Sequence, residues 1–135
     1  MNMSDPFTGT WLFAPELSTL STPAPQSWLQ EINVIDNELF VRERTLRTDG
    51  TETSQTVRAK FDGTPYPVVG SPIMDFIAYT RTDRNTIAGI GSKQGTVLLA
   101  ETVSVANDRT SLTLNYKIHI AERIVAHGIA VFIPE

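Results

Sequence analysis

Hydrophobic and polar positions alternate along most of this chain. Phe7, Gly9, Trp11 and Phe13 fall on one side of an extended segment, with Thr8 and Thr10 on the other. Trp28, Ile32 and Val34 oppose Glu31 and Asn33, and Val57, Ala59 and Phe61 oppose Arg58 and Lys60. Leu112, Leu114, Tyr116, Ile118 and Ile120 oppose Thr113, Asn115, Lys117 and His119. A period of two marks a strand with one buried and one wet face. No segment sustains a helical period. Turn-forming clusters at Asp36-Asn37, Asp49-Gly50, Asp62-Gly63, Asp83-Arg84-Asn85, Gln94-Gly95, Asn107-Asp108 and Glu122-Arg123 punctuate the pattern. Asp, Asn and Gly are the residues that tolerate the positive φ of tight hairpins. Strands are predicted near 7–13, 27–35, 38–47, 51–61, 75–82, 86–93, 96–105, 111–120 and 124–133. Short, regularly spaced strands joined by hairpins predict an all-β fold, a single antiparallel up-and-down β-barrel of about eight to ten strands.

Two segments break the rhythm. Residues 14–26 carry Pro15, Pro23 and Pro25 and read as a long connection; residues 64–72 carry three prolines and a glycine and read as a structured loop at one barrel end. Long loops at a barrel mouth are where ligands gain access. The last strand, Ile124–Ile133, is apolar on both faces, so its outer side needs a cover. The N-terminal arm (1–6), the 14–26 segment or a second subunit would serve, and a homodimer is expected on this ground.

Composition narrows the picture. A chain of 135 residues has the length of one domain, here 1–135, and a 41% hydrophobic, 19% charged composition is that of a globular protein. With no cysteine, disulfides, thiolate nucleophiles and zinc–cysteine sites are excluded. A net charge of -4 argues against a nucleic-acid partner. Arg42, Arg44 and Arg47, interrupted by Glu43, read instead as a solvated strand face. There is no apolar run of membrane-spanning length and no signal-peptide pattern at Met1–Pro6, so a cytoplasmic protein without a membrane partner is expected.

Gly9-Thr10-Trp11, opening the first strand, resembles the Gly-x-Trp signature of lipocalins, in which the Trp packs across the closed end of the barrel. A longer series is similar to a group of small bacterial lipocalin-like (calycin) proteins. It runs from Asp5-Pro6-Phe7 through Lys60-Phe61-Asp62-Gly63, Tyr66-Pro67-Val68, Gly70-Ser71-Pro72 and Arg81-Thr82-Asp83 to Asp108–Thr113. The resemblance implies a lipocalin-like barrel and little about chemistry. It also implies an arginine backing the Trp, for which Arg123 is the nearest candidate by position. The sixth predicted strand departs from the pattern, with Gly89 and Gly91 in phase with Ile87 where bulky residues are expected. Glycines there open a hollow in the wall or mark a β-bulge.

A polar residue in phase with an apolar face is informative, because burying it requires a partner. Tyr79 and Arg81 share a face with Ile77; Glu101 shares one with Leu99 and Val103; Glu43 lies on the apolar face of 39–45. An inward Arg81 would bind a ligand carboxylate or enolate, and an inward Glu101 would act as a base with a raised pKa. A structural Arg–Glu pair is the alternative. With a turn at Glu122-Arg123, His119 pairs with Ala126 and faces out, while His127 pairs with Ile118 and faces in; no metal site is expected. The Gly89–Gly95 run leads into a strand and so is no phosphate loop, and no Gly-x-Ser-x-Gly elbow is present. Candidate ligand-binding residues are therefore Trp28, Tyr79, Arg81, Gly89, Gly91, Leu99, Glu101 and Tyr116. Candidate catalytic residues are Arg81, Glu101, Tyr116 and His127, with no cofactor. Three functions stay open: a binding protein for a small apolar or amphipathic ligand, a cofactor-free cyclase or isomerase, and a protein-interaction module.

Overall fold

The computed structural model describes residues 4–135; Met1–Met3, the start of the N-terminal arm, lie outside the described residues. The strands are β1 (Gly9–Phe13), β2 (Thr19–Leu20), β3 (Ser27–Ile35), β4 (Glu38–Leu46), β5 (Glu52–Lys60), β6 (Asp62–Val69), β7 (Phe76–Asp83), β8 (Thr86–Lys93), β9 (Thr96–Val105), β10 (Leu112–Ile120) and β11 (Arg123–Pro134). From β3 to β11 each strand pairs antiparallel with the next. β1 pairs with both β3 and β11, closing an up-and-down barrel of ten strands. The predicted hairpins at Asp36-Asn37 and Gln94-Gly95 form with positive φ at both turn residues.

The barrel closes along one edge of β11, which two short strands share. Its C-terminal end pairs with β1 and its middle with β2, and a 3-10 turn over Pro15–Leu17 joins the two. Seryl side chains fill the gap in the ladder: Val131 N donates to Ser18 Oγ at 2.8 Å and His127 N to Ser21 Oγ at 2.9 Å. The 14–21 segment thus runs beside β11 and leaves its outer face bare, with Ile124 52% and Ile129 46% exposed.

The structure changes two of the sequence expectations. Residues 62–69 form β6, where a loop over 64–72 was predicted; the loop is 70–75. Prolines fit inside β6 because it meets β5 only at Thr56–Val69 and Val57–Val68, so Pro65 and Pro67 have no donor to supply on that side. The second change is the β10–β11 register. The turn sits on Ala121-Glu122, both with positive φ, and a bulge follows between Ile118 and His119. Lys117 therefore pairs with His127 and Ile118 with Ala126. Volume decides this register. The inward side of β11 carries the small Ala126, Gly128 and Ala130 opposite Ile118, Tyr116 and Leu114, while Val125, Ile129 and Val131 face out.

One end of the barrel is plugged. Phe7 is fully buried and Trp11 is 3% exposed, with its Nε1 donating to Phe7 O at 3.0 Å. This is the placement expected of the Gly-x-Trp tryptophan. Arg81 lies over the Phe7 and Phe61 rings, 5.2 and 5.4 Å from the centroids, and forms a two-bond ion pair with Asp5 (2.7 and 3.1 Å). Arg81 thus stands at the closed end, over Phe7 and Phe61. Arg123 is exposed on the hairpin at the opposite end.

Candidate ligand-binding site

The barrel is hollow above this plug. A cavity of about 500 Å³ opens at the end formed by the 21–26 loop, the Arg47–Asp49 hairpin and the Ser71–Met74 loop. Both proline-rich stretches contribute to this mouth, as the chain pattern suggested. Such a volume is typical of small-molecule sites.

Strand register sets the walls. Next to the plug the cavity is apolar, lined by Ile32, Leu39, Val57, Ile87, Val103 and Leu114. Above this layer lies a belt of polar groups. Pairing places Gln30, Glu43 and Gln55 in one cross-strand row on β3, β4 and β5. Across the barrel, Tyr79, Gly89, Glu101, Tyr116 and Gly128 form a row from β7 to β11, which β2 extends with Leu20. Glycines stand between Tyr79 and Glu101 and between Tyr116 and Leu20 in this row. A Cβ on Gly89 would lie 3.0 Å from Glu101 Cγ and 3.1 Å from a Tyr79 ring carbon; one on Gly128 would lie 2.8 Å from Leu20 Cδ2 and 2.9 Å from Tyr116 Oη. The glycines make room for the polar side chains beside them.

Glu43 is anchored. Its Oε1 accepts from Trp28 Nε1 at 2.7 Å and its Oε2 from Gln55 Nε2 at 3.1 Å. Burial nevertheless raises its pKa, because desolvation outweighs the two hydrogen bonds. Glu101 has no hydrogen-bond partner among the described residues. Its accessible surface faces the cavity, and desolvation, reinforced by the Glu43 charge, pushes its carboxyl up to about 8. Tyr79 is 6% exposed, and its hydroxyl also lacks a partner among the described residues. Burial, then the charges of Glu101 and Glu43, raises its pKa. The Tyr116 hydroxyl is raised by burial alone.

Of the sequence-derived candidates, Trp28, Tyr79, Leu99, Glu101 and Tyr116 line this one cavity. Arg81 does not. Its guanidinium is committed to Asp5 and to the carbonyl oxygens of Asp83 and Arg84 at the closed end. Gly89 and Gly91 are inward, but no hollow lies over them: a Cβ on Gly91 would lie 2.8 Å from Met74 Sδ and 3.0 Å from Leu99 Cβ. A register irregularity follows Gly91, so close approach and bulge, rather than empty space, account for the pair. His127 is exposed beside Lys117 because of the one-residue register change, and so is removed from the candidates. Glu43 and Gln55 belong to the site and were not among the candidates. Glu43 had the same signal as Glu101, a charge on an apolar strand face. No known protein family's sequence profile matches the chain, and neither does any curated protein.

Proposed function

We propose that this protein binds a small, largely apolar molecule inside a calycin-like barrel, holding the molecule's polar group at the Glu43–Glu101 belt. The observation that carries this reading is a cavity of about 500 Å³ whose walls are apolar on the plugged side and carry a few convergent polar groups at mid-height. A plugged end and a loop-rimmed mouth give one route in. Hydroxyl and carboxyl groups at Tyr79 and Glu101, without partners among the described residues, line the cavity where they would meet a guest.

Trp28 makes this testable. It is one of two tryptophans, it lines the cavity, and the other, Trp11, is sequestered in the plug. Protein purified under native conditions should release a stoichiometric small molecule on denaturation, detectable by mass spectrometry. Adding that molecule back should change the Trp28 emission saturably. An extract containing no such molecule, together with an unresponsive Trp28 across a panel of apolar compounds, would remove the reading.

A second reading, a cofactor-free isomerase or cyclase, draws support from the two carboxyls. Glu101 is a candidate proton donor and Glu43, held by two donors, a candidate acceptor, so the pair has the makings of general acid–base chemistry on a bound guest. Loss of turnover but retention of binding in Glu101→Gln would support it.

A further inference from the structure

We propose that the guest is a hydrophobic amine, its ammonium group seated between Glu43 and Glu101 and its apolar body packed in the chamber beneath. The inference rests on the ligand-binding reading above and names the class of molecule. It follows from charge bookkeeping inside the belt. Two carboxyls face the same space, and no basic side chain lies in either row of the belt. The groups facing Glu101 are Tyr79 from β7, Tyr116 from β10 and Glu43 from across the barrel. β8, β11 and β2 present Gly89, Gly128 and Leu20, which do not titrate. Arg81, on the same face of β7, is paired with Asp5. The cavity-lining arginine, Arg47, stands on the mouth hairpin.

An anionic headgroup at this belt meets two acids. A neutral one leaves any ionised carboxylate uncompensated in a low-dielectric space. A cation satisfies both, and Tyr79, Tyr116 and Trp28 line the same cavity, where aromatic rings attract ammonium groups. The exposed oxygens also suit it, since an ammonium carries three donors. Glu101 and Tyr79 have capacity to spare, and the two Glu43 oxygens each use one of their lone pairs.

The proton balance gives a signature. In water the amine arrives protonated. The resting Glu101 carboxyl, neutral below about pH 8, must release its proton to pair with the ammonium. Seating the cation therefore expels up to one proton into solvent, and no bond to carbon changes.

The experiment compares octylamine, octan-1-ol and octanoate, which share one chain and differ in headgroup. Trp28 emission reports affinity. Calorimetry at pH 7 in phosphate and in Tris reports proton release. Octylamine should bind at least tenfold more tightly than octanol, octanoate should bind most weakly, and only octylamine should release protons. Glu101→Gln should weaken octylamine tenfold or more and leave octanol within twofold, with thermal melting confirming that the variant folds. Glu43→Gln, which keeps an acceptor for Trp28 Nε1 and offers a donor to a flipped Gln55 amide, should do the same. Octanol or octanoate binding as tightly as octylamine, amine binding without proton release, or an indifferent Glu101→Gln would overturn the amine while leaving the cavity reading intact. Failure of all three probes to bind would overturn both.

Discussion

At the scale of single residues the belt is organised by the contrast between Glu43 and Glu101. Glu43 is given two donors by its neighbours; Glu101 finds none among the described residues and stays protonated to about pH 8. The sign of its effect on stability follows. Below pH 4.5 both the folded and unfolded chains hold this proton. Between 4.5 and 8 the unfolded chain loses it while the folded chain keeps it, so stability falls as pH rises, by about 1.4 kcal/mol per pH unit at most. Glu101→Gln removes this pH dependence. Thermal melting of the two proteins should converge near pH 4.5, with the variant increasingly the more stable towards pH 8; a gap independent of pH would contradict the assignment. Gly128 gives a steric test at the same scale. An added methyl would crowd both Leu20 and the Tyr116 hydroxyl, so Gly128→Ala should lower stability by about 1–3 kcal/mol in denaturant titration. Trp11→Ala, which empties the plug, should cost about 3–5 kcal/mol by the same measurement.

At the scale of elements, the β10–β11 hairpin shows where a pattern of hydrophobicity stops being enough. Both faces of Ile124–Ile133 are apolar, so polarity gives no preference between the two registers. Size does, because the small Ala126, Gly128 and Ala130 fit opposite Ile118, Tyr116 and Leu114. The hairpin pivots on Ala121-Glu122, neither of which favours the left-handed backbone it adopts. Replacing the pair with Asn-Gly, which does, should raise the melting temperature by the equivalent of about 1 kcal/mol. An unchanged or lowered value would mean that the turn is placed elsewhere. Most other strands were legible: 27–35, 86–93 and 96–105 coincide with the observed β3, β8 and β9, because each is bounded by turn residues. β2, only two residues long, has no periodicity to read. β6 was hidden by its prolines, which ordinarily argue against a strand.

At the scale of the whole molecule, the two ends of the barrel have different tasks. The closed end is tied by Phe7, Trp11 and the Asp5–Arg81 pair, the mouth by loops that leave a way in. Removing one member of the pair leaves a largely buried charge, so Asp5→Ala should cost roughly 3 kcal/mol and open the plug to solvent, seen as a red shift of Trp11 emission in a Trp28→Phe background. Five of the eight ligand-binding candidates converge on one cavity because inward phase is readable from alternation. Arg81 shows the limit of that inference: phase fixes the direction of a side chain, whereas its height in the barrel and its partner depend on tertiary register and on an aspartate far away in sequence. The glycines were misleading for a related reason, since absence of a side chain reads as space until the neighbours that occupy it are known.

Whether the barrel holds one guest at the belt is read by titrating octylamine into a Trp11→Phe variant while following Trp28 emission, with native mass spectrometry counting bound molecules. The expected result is a saturable change with one molecule bound per chain, greatly weakened in Glu101→Gln. A Trp28 signal that responds to none of octylamine, octan-1-ol and octanoate, or binding at several equivalent weak sites, would contradict it.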